Sequence, residues 1–283
     1  MKKFRYLCLA IFMVFLIISY QPTLIGSENS EEKPIYRSSE DLLIAMEKVY
    51  GKIETLRARL NMIDTDPKSN PLLLNLSAFS GEQYILRVEF IAPPTMKGQF
   101  FLVEGENLYQ YMPADKTLIV NDLSRVQKSK VPSSLRSLNI APNRLTGVLN
   151  SEDIKLELKG TPDSPYISDL KELDILSEKN NSDSSGKKDV KITPEKYPQL
   201  KKLTEGGVYV MEVTPKKEEA DFERQILSLD GETLLPQILI TYPAGEEGNR
   251  YLTFVDEIEK NIDLDRKKVT KLPTESEATY IRP

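Results

Sequence analysis

The side chains able to do chemistry are few in kind. The 283 residues include no His and a single Cys, Cys8. Without an imidazole there is no Ser-His-Asp or Cys-His pair, no His-ligated metal and no ordinary proton shuttle near neutral pH. One thiol closes no intramolecular disulfide and builds no thiolate metal cluster. Paired carboxylates and Ser or Lys nucleophiles remain. Glu246/Glu247 and Glu257/Glu259 are such pairs, and a glycosidase needs two carboxyl groups about 5–10 Å apart. No spacing singles out one pair, and solvated acidic faces on edge strands account for them better. The runs SSLR, SSGK and KSK lie in polar stretches, and there is no G-x-S-x-G, P-loop or metal-ligand cluster. The sequence therefore implies no catalytic residue, no metal and no cofactor, and leaves binding as the work of the chain.

Charge narrows what is bound. The chain carries 38 Lys+Arg against 43 Asp+Glu, a net of −5. Residues 1–26 read as an export signal: Lys2, Lys3 and Arg5, an apolar run over 7–18, then the polar break Ser19-Tyr20-Gln21-Pro22. The run is short for a transmembrane helix, which needs about 20 residues, so cleavage is the first reading and a retained N-terminal anchor the second. Cys8 stands at the front of the run, where a lipobox Cys would follow it. Removing 1–26 takes away three basic and no acidic residues, which leaves 35 against 43, a net of −8. Such a chain is a poor ligand for nucleic acid or an anionic membrane surface. Apolar recognition remains, in an exported, periplasmic or otherwise extracytoplasmic setting.

The elements that would position a binding surface follow from periodicity. Residues 27–38 form a polar, flexible lead-in. Ser39, Glu40 and Asp41 start a helix whose Leu42, Leu43, Met46, Val49 and Tyr50 recur at helical spacing up to Gly51. From Ile53 the period becomes 2, with Leu56, Ala58, Leu60 and Met62 on one strand face. Strands are expected over 71–79, 83–91, 97–104, 107–112 and 117–122, joined by turns too short for parallel crossovers. The stretch 131–150 predicts one or two short helices, and Ile154, Leu156 and Leu158 another strand. A polar insertion spans about 161–207, around the tract EKNNSDSSGKKD. Strands return over 208–214, 222–230, 234–242, 251–258 and 263–272, with Asp230-Gly231 as a hairpin signal. The expected fold is mainly β (α+β): an antiparallel sheet of eleven or twelve strands with one apolar face and a few helices over it.

Some apolar faces exceed what two helical regions cover. Leu86, Val88 and Phe90 line one strand face with Tyr84, and Phe100 to Val103 make both faces of the next strand apolar. These side chains either close-pack as a core or line a hollow that takes a ligand. Tyr109 and Tyr111 share one strand face, as a cross-strand packing pair or as rings at a cavity mouth.

The run LRVEFIAPPTMKGQFFLVEGENLYQYMP over 86–113, a helical break, and VYVMEVTPKKEEADFERQILSLDGETLLPQILITYP over 208–243 resemble the LolA-like family of outer-membrane lipoprotein carriers and lipoprotein-sorting proteins. The resemblance covers most of 39–273 without the insertion, and order and spacing carry it more than any one motif. It implies a strongly curved, incomplete antiparallel barrel, closed by helices around an apolar cavity that takes the acyl chains of a lipoprotein or lipid. On that basis Leu86, Val88, Phe90, Phe101, Val103, Leu108, Tyr109 and Tyr111 are candidate cavity residues, and Leu42, Leu43 and Met46 form the lid. Residues 39–283 would make one lipid-binding domain. There is a departure: carriers of this family often place an Arg, bonded to the lid, where this chain has Ala92. The alternative is a non-catalytic sensor or docking protein that holds an envelope protein partner through the 161–207 insertion.

Overall fold

The computed structural model describes residues 35–66, 69–80, 84–122, 154–167, 192–216, 222–246 and 248–282. The signal at 1–26, most of the lead-in, the helices expected within 131–150 and the tract EKNNSDSSGKKD lie outside the described residues.

Helix α1 is Ser39–Tyr50, and its cap is Ser38, one residue before the expected one. Ser38 is extended (φ −126°) and its hydroxyl accepts from the Asp41 N–H at 3.1 Å. Glu40 and Asp41 in the first turn and Lys48 in the last complement the helix dipole. Two meanders follow. The first runs through β1 (Thr55–Asp64), β2 (Leu72–Phe79), β3 (Ile85–Ala92), β4 (Phe100–Glu104), β5 (Asn107–Met112) and β6 (Thr117–Asp122). The second runs through β7 (Ile154–Gly160), helix α2 (Gln199–Glu205), β8 (Val208–Pro215), β9 (Phe222–Asp230), β10 (Pro236–Pro243) and β11 (Tyr251–Lys260). Helix α3 (Arg266–Val269) and β12 (Thr279–Ile281) end the described chain.

All twelve strands form one sheet in the order β12-β6-β5-β4-β3-β2-β1-β11-β10-β9-β8-β7. The β1–β11 ladder joins the meanders, with a bulge between Arg59 and Leu60. Every strand pair is antiparallel except β12 with β6, which is parallel and corrects the all-antiparallel expectation. The turn from 273 to 278 carries the chain back along β6, with Thr279 N–H bonded to Lys116 O at 2.7 Å. A strand over 263–272 does not form. That segment has no alternating apolar face, and the Asp265 carboxylate instead accepts from the Lys267 and Lys268 N–H groups and starts α3.

The expectation of one apolar face is also corrected. One core fills the concave side under α1. A second covers the opposite face of the β8–β11 half, where Tyr197, Leu200 and Leu203 pack with Val210, Ile240 and Phe254, and the Tyr197 and Phe254 rings stack at 4.2 Å. A third lies on the same outer side of β3–β6, where Val269 and Ala278 cover Phe100, Leu102 and Leu118. Residues 192–207 of the expected polar insertion are thus part of the fold.

The β9–β10 connection is longer than an Asp-Gly hairpin. Leu234 takes the positive φ (58°), and the Asp230 carboxylate accepts from the N–H groups of Glu232 and Thr233 and from Lys202. Gly231 is required by space: a Cβ there would stand 2.7 Å from Gly207 O and 2.8 Å from Pro162 Cγ.

Because Leu200 is fully buried, Leu200→Ala should lower global stability by about 2–5 kcal/mol in urea unfolding. A separable insertion would leave the midpoint unchanged. Burial works to raise the Asp230 carboxyl, but its bonds from Thr233 and Lys202 outweigh this and hold it below the usual range. A lowered folded value gives stability that is present above the unfolded pKa of about 3.9 and lost as pH falls through the folded one. Asp230→Asn should therefore be less stable than wild type at neutral pH, and the gap should close in urea midpoints measured at progressively lower pH.

Candidate functional site

The candidate surface is the concave side of the sheet. β1 contributes Leu56, Ala58, Leu60 and Met62, the face its alternation predicts. β2 adds Leu74 and Leu76, and β3 adds Leu86, Val88 and Phe90. From the other meander come Tyr209, Met211 and Val213 of β8, Leu227 and Leu229 of β9, and Leu239 of β10. Strands far apart in the ladder thus contribute to one apolar cluster, as a sheet curled around α1 requires. Leu42, Leu43 and Met46 project from α1 into it.

The sequence-derived site divides between two faces. Leu86, Val88, Phe90, Val103 and Leu108 lie buried in the concave cluster, and half-buried Phe101 packs against it, with its ring 6.2 Å from that of Phe90. Tyr109 and Tyr111 do not join them. Alternation along β5 puts them on the outer side with Phe100 and Leu102, and Tyr111 meets the Phe100 ring at 5.3 Å. Burial and then Glu104 raise the Tyr109 phenol, as suits a ring packed under the C-terminal segment. Their spacing of two placed them together correctly but could not say which face they share.

The concave cluster is closely filled in this conformation. Leu42, Leu56, Leu60, Leu74, Leu76, Phe90 and Met211 are all 0 % exposed. A polar strip crosses its β9–β11 part: Gln225, Thr241 and Thr253 are buried there, and Gln225 Nε2 donates to Thr241 Oγ1 at 3.1 Å. A cavity of about 310 Å³ lies elsewhere, against the turn before β12, and is lined by Lys116, Glu275, Ser276, Glu277 and neighbours, a polar wall unsuited to an acyl chain. Among the described residues no group of three acidic or Cys side chains is placed to hold a metal ion, and no helix is long and apolar enough to cross a membrane.

Helix α1, expected as a lid, is held at both ends. At its start Arg37 makes a two-pronged pair with Asp163, at 3.1 and 2.6 Å, and reaches Thr161 at 3.4 Å. Tyr36 donates its backbone N–H to the Tyr209 hydroxyl at 3.1 Å, with the two rings 5.8 Å apart. The Arg37 bond and then that of Thr161 hold the Asp163 carboxyl below its ordinary range. At the far end the buried Tyr50 hydroxyl donates to Leu234 O at 2.6 Å, and burial pushes that phenol up. Asn261, just after β11, clamps the corner that follows: it accepts from the Glu54 N–H at 2.8 Å and donates to Lys52 O at 3.0 Å. Sequence reasoning missed every one of these anchors, because each joins residues more than a hundred positions apart.

No protein-family model and no curated protein sequence matches the chain. Solved structures are similar in fold. A conserved protein of Thermus thermophilus shares 14% identity over 87% of this chain and 99% of its own, with a TM-score of 0.49. An outer-membrane lipoprotein-sorting protein domain from Vibrio parahaemolyticus shares 13% over 82% and 97%, at 0.40. A LolA superfamily protein from Nitrosomonas europaea shares 14% over 83% and 99%, at 0.36. The described residues of this chain form one large sheet of twelve strands, not closed into a barrel, with few helices.

Proposed function

We propose that the chain is an exported, non-catalytic carrier that shields the acyl chains of a lipoprotein or lipid against the concave face of its sheet. The observation that carries this reading is the apolar surface under α1, to which strands from both meanders contribute and across which an amphipathic helix lies. Burying each CH₂ of an acyl chain stabilises the complex by about 0.8 kcal/mol, so a trough of this kind needs no reactive group. The lack of His and of any disulfide-forming Cys pair is compatible with such work. The Leu, Val and Phe side chains of β1–β5 would contact the acyl chain, and α1 would give way to admit it. Tyr109 and Tyr111, on the far side, take no part.

Because the concave side chains are closely packed, loading requires α1 to move. One of its N-terminal anchors is an exposed ion pair, and such pairs are weakened by competing solvent and salt. Purified full chain, stripped of lipid by solvent extraction, should take up a fluorescent fatty acid to saturation. Arg37→Ala should speed that uptake and raise hydrogen exchange along α1 with the unfolding midpoint unchanged. A chain that yields no lipid on extraction and takes up no probe, in wild type and Arg37→Ala alike, overturns the carrier reading.

A further inference from the structure

On the outer side of the sheet, away from the acyl-binding face, two guanidinium groups share one aromatic ring. Arg224 of β9 is the cross-strand neighbour of Tyr242 on β10, and Arg250 precedes β11. The Arg224 and Arg250 Cζ atoms stand 4.1 and 4.3 Å from the Tyr242 ring centroid. Cation–π attraction holds each to the ring but neutralises neither. Among the described residues Arg224 has one carboxylate partner, Glu212, at 3.6 Å, and Lys159 draws on the same carboxylate at 3.8 Å. Arg250 makes no ion pair among the described residues, and its Nη1 donates to Asn249 O at 2.7 Å. Among the described residues two buried donors at the stack have no hydrogen-bond partner: the hydroxyl of Tyr242, a residue 5 % exposed, and Arg250 Nε.

Glu157 faces Glu212 across the β7–β8 ladder, and Lys155 and Lys159 flank Glu157 on its strand and both pair with it. Among the ion pairs of the described residues here, Lys155, Lys159 and Arg224 share two carboxylates, Glu157 and Glu212, and Arg250 has none. Tyr166 borders the group, with its phenol raised by burial and then by Glu212. Half-exposed Arg224 leaves the stack reachable from solvent.

We propose that Arg224, Tyr242 and Arg250 form a binding site for a phosphate group. Planar guanidinium forks match phosphate oxygens, and stacking on one ring fixes two forks without using their donors. A tetrahedral oxyanion supplies enough acceptors for both guanidiniums and for the unused phenol. This site is separate from the acyl-binding face, so either can fail alone.

The test is calorimetric titration of inorganic phosphate into the full chain, beside flotation with phosphatidylcholine vesicles with and without phosphatidic acid. Saturable phosphate binding is expected, weakened about tenfold or more in Arg224→Gln and in Arg250→Gln and unchanged in Arg57→Gln. Tyr242→Phe keeps the ring and its packing and should weaken binding by a smaller factor, so the proposal stays testable if an Arg variant folds poorly. Flotation that needs phosphatidic acid and is competed by free phosphate marks a lipid headgroup as the source. Phosphate binding without flotation marks a free phosphate. No saturable binding of either probe, or binding that Arg224→Gln and Arg250→Gln leave intact, overturns the site.

Discussion

The structure depends on the ladder between β1 and β11. Each meander is built from short-range hairpins, but the concave core that both halves share is not enclosed until Leu56 meets Lys260 and Asp64 meets Tyr251 across some two hundred residues. The register is specified from both sides. On the concave face Leu56, Ala58, Leu60 and Met62 must point inward, and a slip of one residue would turn all four to water. On the outer face Arg57 pairs with Glu259 and Arg59 with Glu257, at 3.3 and 3.1 Å. These exposed pairs add little energy, yet a shifted register would separate them from their partners. The bulge at Arg59/Leu60 lies in this ladder, where extra local twist helps the sheet curl around α1.

Much of this was legible in the sequence because alternation reports a half-buried strand directly. Helix α1 and the strands of the first meander stand within a residue or two of their expected places, apart from a late start at Phe100, since 94–98 form a turn. What was illegible has physical causes. The runs VYVM, ILITY and YLTFV lack alternation because both faces of β8, β10 and β11 are buried, which demands a second layer. Its source, KYPQLKKL, carries Tyr197, Leu200 and Leu203 at helical spacing, but the polar tract before it hid the signal. Tyr109 and Tyr111 show the opposite limit. Period 2 groups side chains onto a face but holds no information about which face meets the core.

The two sides of the sheet differ in chemistry as well as packing. Among the described residues the concave side is apolar apart from the Gln225, Thr241 and Thr253 strip, so an apolar ligand would be held there by buried area. The outer side keeps its cations beside Tyr242, where an acidic chain would otherwise repel an anion. A long-range field from 43 carboxylates is screened within about 10 Å at ordinary salt, so local geometry decides what this patch attracts. Net charge argues against broad adsorption to anionic surfaces, whereas the proposed phosphate site depends on its own local geometry.

The anchors of α1 also set how it can move. Its N-terminal end is tied by Arg37 and Asp163, with side chains 62% and 44% exposed, where water and salt substitute for the lost partner. Its C-terminal end is tied by Tyr50, 4 % exposed, whose hydroxyl and the Leu234 carbonyl would both be left unpaired in an apolar setting if they parted, at about 1–3 kcal/mol for each group. Asn261 fixes the corner beyond it through two further bonds. On the proposed carrier reading, α1 would lift from its Arg37 end and pivot about Tyr50, which would uncover Leu42, Leu43 and the β8 side of the trough before the β1 side. An acyl chain entering along that path would meet Tyr209 first, the residue that Tyr36 covers in the closed state.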